Sequence, residues 1–310
     1  MGTKYLLILF SAFFIKSSFA FDYKVKIRWN AFEGSKYNFS IVNVIDARLN
    51  KDKSIGSLLS GWYKKKTVGN DSLGPELTAF FKAKRPMFDT STKIILVIKQ
   101  LNIRYLKGYS MLSGRFEAFE NVVSLDYYKI KGNTCALFYQ QYFRHKEDAT
   151  NSETNFAINF TLSETLKFAF NDFNDQLKNH KSFSLAGLDV PAFCNSFNDK
   201  PKQVINNQNI KDGIYLSCRD FYLNQPTLLD DYNLSDNISE KPITIKSSNG
   251  IIAKAFAIVL AKKIFIYVTD NKYREAVLDN NASLSFTEFD AEGNVGVNRY
   301  IDLETGLVYK

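Results

Sequence analysis

Only two histidines, His145 and His180, occur in 310 residues. They stand far apart, and no HExxH accompanies them. A solitary surface histidine is ordinarily solvated, so neither is assigned as a catalytic base and no zinc site is read. Cysteine is nearly as scarce: Cys135, Cys194 and Cys218, with no CxxC spacing. Three thiols form at most one internal disulfide and leave one over, and a chain of this length needs no disulfide framework. No GxSxG elbow, P-loop or GxGxxG occurs, which removes the signatures of the serine hydrolases and of the common nucleotide-binding turns. The net charge is +8, but the excess is scattered and Lys64–Lys66 is the only run of three. Without a clustered basic face, nucleic acid is not expected as a partner. Beyond residue 20 no apolar run approaches the roughly 20 residues that a bilayer span requires.

What is present begins at the first residue. Met1–Ala20 has the build of a secretory signal peptide: Lys4 as a short basic start, an apolar core at Tyr5–Ile15, and a polar tail with small residues at Ser18 and Ala20. The core is too short to span a membrane. Cleavage after Ala20 gives a mature chain that starts at Phe21, is exported to the periplasm or the exterior, and carries +6 once Lys4 and Lys16 are gone. Phe21 is not the cysteine that an acylated lipoprotein presents there.

The remaining 290 residues suit two domains, and the 27 phenylalanines and 17 tyrosines favour β-structure. The expected class is α+β: an α/β sandwich with a mixed sheet and two helices over 21–178, a linker over 179–212, and a smaller, mainly antiparallel β domain over 213–310. In the first, Lys24–Trp29 and Tyr37–Leu49 alternate as strands do, the latter with Phe39, Ile41, Asn43 and Ile45 on one face. Ile55–Lys65 reads as a hairpin bending at Gly61. A helix opens at Ser72, with Pro75 in its first turn, and ends before Pro86. Ile94–Ile98 is apolar without interruption, which marks a strand buried on both faces. Gly114–Ile130 and Thr134–Arg144 form an antiparallel pair around Lys131-Gly132-Asn133. A second helix is expected from Thr161, with Thr161 and Glu164 as a capping box and Leu162, Leu166, Ala169, Phe173 and Leu177 as its apolar stripe. In the second domain, Ser217 caps a short helix over Cys218–Leu223, Pro242–Ser247 is a strand before an Asn249-Gly250 turn, and hairpins centre on Lys262-Lys263 and Ala291–Asn294.

Candidate sites are few. Asp230, Asp231 and Asp236 have the donor type for Ca²⁺ but no EF-hand spacing, and they read as a solvated acidic loop. Asp290 and Glu292 read as turn residues. Asp46 and Arg48, two apart on a strand, share a face and are expected to pair with each other as an exposed ion pair of small energetic weight. The sequons at Asn38, Asn159 and Asn233 are attributed to chance in an Asn-rich chain. No catalytic, cofactor-binding or metal-binding residue is assigned.

Val44-Ile45-Asp46-Ala47-Arg48, followed by Ile55-Gly56, a helix, an apolar strand, a long antiparallel pair and a closing helix, resembles the small envelope lipoproteins that include ABC-transport auxiliary components. The resemblance covers about Tyr37–Leu177 and implies an α/β fold and a role as partner of a larger envelope machine. The chain departs from it in lacking the lipidated cysteine. Gly213-Ile214-Tyr215, Asp220-Phe221, Asn224-Gln225-Pro226 and Tyr300-Ile301-Asp302-Leu303-x-x-Gly306 resemble a module of exported Bacteroidetes proteins. The leading expectation is a non-catalytic envelope protein that binds a protein partner. The alternatives are an extracytoplasmic hydrolase of glycan or peptide, acting through carboxylates that folding brings together, and a carrier of a small ligand or lipid.

Overall fold

The structure is a computed structural model, and it describes residues 23–49, 54–60, 64–70, 72–83, 92–110, 114–148, 154–179, 187–226, 245–246, 252–268, 273–279, 282–289 and 296–309. The signal segment, Gly61, Asn249-Gly250, His180 and the acidic residues 230, 231, 236, 290 and 292 lie outside these residues.

The fold is α+β, built from two sheets. The first contains β1 (Tyr23–Lys24), β2 (Ser40–Asp46), β3 (Gly56–Ser60), β4 (Lys64–Gly69), β5 (Lys93–Ser110), β6 (Gly114–Lys131), β7 (Thr134–Asp148) and β8 (Leu188–Asp189), with helices α1 (Leu73–Ala83), α2 (Thr154–Asn179) and α3 (Val190–Asn195). Its order is β1-β4-β3-β5-β6-β7-β8, and β2 also pairs with β5. The sheet is mixed: β2 and β3 run parallel to β5, while β5, β6 and β7 are antiparallel. The second sheet contains β9 (Gly213–Tyr215), β12 (Ala257–Leu260), β13 (Lys263–Tyr267), β14 (Tyr273–Leu278), β15 (Ser283–Phe289), β16 (Gly296–Asp302) and β17 (Val308–Tyr309), preceded by the short pair β10 (Ile245–Lys246) and β11 (Ile252–Ala253), with α4 (Cys218–Tyr222) after β9. All its neighbours are antiparallel, in the order β17-β16-β15-β14-β13-β12-β9.

β5 is the central strand, and Ile94–Ile98 are all buried. Ile94, Leu96 and Ile98 face α1 and α2, while Ile95 and Val97 face a second cluster made by Ile45, Ala47, Cys135 and Phe193 of α3. The space between sheet and α2 is filled by rings. Phe173 stacks on Tyr127 with centroids 3.9 Å apart, and Phe170 meets Phe32, Tyr37, Phe39 and Phe81.

Three elements differ from expectation. Lys24–Trp29 continues as a strand only through β1: Val25 N–H still bonds to Gly69 O of β4 at 3.2 Å, but the N–H groups of Lys26 and Arg28 turn to α2. Lys26 N–H donates to Asn159 Oδ1 at 2.8 Å and Arg28 N–H to Ser163 Oγ at 2.8 Å. The same use of Asn159, buried inside α2, explains why this sequon is not a surface site. α2 itself starts at Thr154, seven residues ahead of the expected capping box, so Thr161 is an interior residue whose carbonyl accepts from Thr165 Oγ1. Along β2, a bulge at Val42 switches the alternation. Phe39, Ile41 and Val44 face the aromatic core, but Ile45 joins the opposite cluster.

Residues 187–212, part of the expected linker, are structured. β8 adds to the edge of the first sheet, Asp189 caps α3 by accepting from Ala192 N–H, and Ile205 and Ile210 are buried against the second sheet. In that sheet β14 has no counterpart in the sequence reading. The β12–β13 turn falls on Ala261 and Lys262, both at positive φ (49° and 62°), one residue earlier than expected. No described helix is long and apolar enough to cross a membrane.

Candidate functional site

The second sheet body packs through α4 against the face of the first sheet opposite α1 and α2. This seam is where polar and ionisable groups are buried, and a bulge in β5 creates it. Ile98 pairs with Leu125 and Gln100 with Ser124, so Lys99 is an extra residue in β5. A bulge places two successive residues on one side of a strand. Here Lys99 and Gln100 both reach the seam, while Leu101 and Ile103 return to the aromatic core.

Lys99 Nζ lies 2.7 Å from Asp126 Oδ2 on β6 and 2.9 Å from Asp220 Oδ1 on α4. Its side chain is 10% exposed and the two aspartates 2% and 8%. Burial alone pulls a lysine down, but the two carboxylates overcome it and hold the Lys99 ammonium above its usual range. Burial, with Asp220 adding to it, raises the Asp126 carboxyl, so an acid titration protonates Asp126 above the ordinary aspartate range. Asp220 is held in place by its own helix: Ser217 Oγ donates to Asp220 Oδ2 at 2.7 Å and accepts from Asp220 N–H at 2.9 Å. Gln100 Oε1 accepts from Cys218 N–H at 3.0 Å, Ser124 Oγ donates to Leu216 O at 3.0 Å, and Asn102 Nδ2 donates to Gly306 O at 2.8 Å.

At the end of β2, Arg48 grips Asp46 with two nitrogens, Nε to Oδ1 at 2.9 Å and Nη2 to Oδ2 at 2.7 Å, and Nη2 also donates to Asn70 O at 2.8 Å. The two residues do pair, but both side chains are 6% exposed, so this is a buried fork and not the exposed pair the sequence suggested. Between them, Ala47 O accepts from Arg219 Nη1 at 2.7 Å, which ties the motif to α4. Burial pulls Arg219 below the usual arginine range, against the opposing pull of Asp220, Asp126 and Asp46. A small recess opens beside these groups, walled by Arg48, Lys99, Gln100, Arg219, Glu304 and Thr305, among others.

Two glycines of the sequence motifs, Gly56 and Gly306, have steric reasons. A Cβ on Gly56 would sit 2.1 Å from the carbonyl oxygen of Ile103, where β3 joins β5. Gly306, at φ 69°, would place one 2.7 Å from Gln100 Nε2, inside the seam.

Elsewhere, His145 is partly exposed, 4.0 Å from Glu147 and beside the Phe168 ring. All three cysteines are free thiols, Cys135 and Cys218 buried and Cys194 partly so. Among the described residues no three His, Cys, Asp or Glu side chains gather as metal ligands would. The sequence reading missed Lys99, Asp126 and Arg219 as a cluster. The signal was available in Lys99 itself: a lysine following five buried apolar residues on a two-sided strand needs a buried counter-charge.

The architecture is thus a two-sheet α+β protein with an ion-paired seam. No family model matches the chain. No curated protein matches it either. Among crystal structures, a DUF330 protein, XCC0632 from Xanthomonas campestris, aligns over 51% of this chain and 98% of its own, with 10% identity and a TM-score of 0.29. That likeness is too slight to bear on function.

Proposed function

We propose that the protein is exported and acts in the cell envelope as a non-catalytic binding partner of another envelope protein. The observation that carries export is Met1–Ala20, with its basic start, short apolar core and small residues before Phe21. Support for binding over catalysis comes from the seam. A catalytic carboxylate needs access to substrate and freedom to exchange a proton. Glycoside hydrolysis further needs two carboxyls about 5–10 Å apart across an open cleft. Asp126 and Asp220 are buried and both bond the same ammonium, so they serve to join the two sheets. The resemblance around Asp46 and Arg48 adds the expectation that the partner belongs to a transport machine.

Two measurements test this reading. Mass spectrometry of the protein from its native host should give a chain that starts at Phe21. Retention of Met1–Ala20 would remove the envelope assignment. Crosslinking in intact cells, followed by capture from the envelope fraction, should recover one defined membrane-associated protein that captures this chain in return. Absence of any reciprocal partner would count against the binding role.

A further inference from the structure

We propose that the outward face of the second sheet binds a neutral glycan chain, laid across the row Val277, Ser285, Tyr300 and Tyr309. These residues stand directly opposite one another on four successive strands, β14 to β17. Opposed residues of antiparallel strands share a face, so the row crosses the sheet at right angles to the strands and spans about 14 Å at the usual strand spacing. The interleaved residues Ala276, Leu278, Leu284, Phe286 and Ile301 are buried in the core of the second body. Val277 is 64% exposed and the two tyrosines 42% each. A single exposed apolar side chain needs no explanation, but three in one line make a surface feature.

The chemistry around the row selects the occupant. The chain carries 40 lysines and arginines, yet none takes an outward position among the described residues of β14 to β17. Arg274 and Arg299 stand opposite Ile266 and Phe286 on the core side, and Arg299 pairs with Glu288 at 2.8 Å. The outward carboxylates are Glu275 and Asp302, the latter accepting Glu304 N–H and Thr305 N–H in the following turn. A phosphate, a nucleic acid or an anionic membrane therefore meets no counter-charge here. A protein partner fits poorly too. A standard interface draws about 20–30 residues from each side and favours arginine and methionine over serine. This face is four strands wide, and its row is flanked by Ser283, Thr287 and Asn298, with Thr287 Oγ1 donating to Asn298 Oδ1 at 3.3 Å. It is an open strip of aromatic rings beside hydroxyl and amide groups. A pyranose ring presents the matching pattern, with C–H groups on its faces and hydroxyls at its rim. The C–H groups lie against the electron-rich faces of the tyrosine rings, and the rim meets Ser285, Thr287 and Asn298.

The experiment uses the full chain and isothermal titration calorimetry with cellohexaose and with chitohexaose. Affinity electrophoresis through gels containing hydroxyethylcellulose gives a second readout. Saturable binding of at least one oligosaccharide is expected. Tyr300→Ala and Tyr309→Ala should each weaken it about tenfold, the fold-change of one lost aromatic contact. Both side chains are exposed, so the melting temperature should stay unchanged. Tyr300→Phe keeps the ring and should bind close to wild type. Phe168→Ala removes an exposed ring from the first body and should leave binding as it was. If Tyr300→Ala does not fold, Tyr309→Ala on the terminal strand carries the test. Heparin and phosphatidylglycerol vesicles, run in parallel, should not bind through this face. Lack of binding to both oligosaccharides, binding indifferent to both tyrosines, or heparin or vesicle binding that the tyrosine variants abolish would overturn the proposal. So would loss of a captured protein partner in those variants without any glycan binding, which would make the face a protein interface. Partner capture by the wild-type chain tests the envelope role separately, and either reading stands or falls without the other.

Discussion

Replacing Lys99 by methionine is the sharpest test of how the two sheets are held together. The substitution keeps most of the volume and removes only the charge. Asp126 and Asp220 are then left side by side, at 2% and 8% exposure, with no cation between them. Removing one member of a buried ion pair typically costs about 3–5 kcal/mol, because the remaining charge is stranded, and at these exposures little solvent screening reduces the figure. With a urea m-value of about 2 kcal/mol/M, the unfolding midpoint should fall by about 2 M. The loss must also depend on pH in a definite direction. Asp126 already binds its proton more tightly when folded than when unfolded, and without Lys99 the influence that opposed this is gone. Between the unfolded and the raised folded value, the folded variant holds more protons than the unfolded one. Its stability therefore rises as pH falls through that window, and the deficit against wild type narrows toward acid. Adding Asp126→Asn and Asp220→Asn should recover most of the loss, since replacing a whole buried ion set is often close to neutral. Urea titrations at neutral and mildly acidic pH measure all of this. A deficit below about 1 kcal/mol, the ordinary weight of a surface pair, or one that does not change with pH, would refute the reasoning.

Gly56→Ala should destabilise by more than the loss of glycine entropy can offset, because its methyl meets backbone at Ile103. Gly306→Ala should cost about 1–2 kcal/mol, from the positive φ together with the contact to Gln100; thermal melts of both variants check the order. Exchanging Ala261-Lys262 for Asn-Gly should stabilise by about 1 kcal/mol, since both positions lie at positive φ, and an unchanged melting temperature would be the contrary result. A thiol reagent on the native protein should label Cys194 first. Burial raises the Cys135 and Cys218 thiols and hides them, so labelling of all three at one rate would contradict the structure.

The strongly patterned parts of the fold were legible. Five apolar residues at Ile94–Ile98 announced the two-sided strand, and the long antiparallel pair and the α4 cap at Ser217 followed from turn and capping chemistry. What escaped did so for identifiable reasons. Lys24–Trp29 alternates like a strand, but beyond Val25 its backbone partners are α2 side chains, which periodicity does not report. Val42 and Lys99 are bulges, and a one-residue shift in pairing leaves no mark on composition. The Asp46–Arg48 pair was visible from spacing, yet the contact of its loop with Arg219 and α4 comes from 172 residues further on. The seam therefore needed three dimensions, although Lys99 pointed to it.

The bulge at Lys99 also bears on how the first sheet could be redesigned. Ile98 and Gln100 pair with the consecutive residues Leu125 and Ser124. A chain without Lys99 would therefore run as an unbroken alternating ladder, with Leu101 and Ile103 still directed to the aromatic core. Lys99 therefore adds one positive charge to a seam that Gln100, Asn102, Ser124 and Ala47 also tie to the second body, with Leu49, Val122 and Tyr142 packed into the same apolar cluster. Deleting it would remove the cation that Asp126 and Asp220 share while leaving those other ties in place.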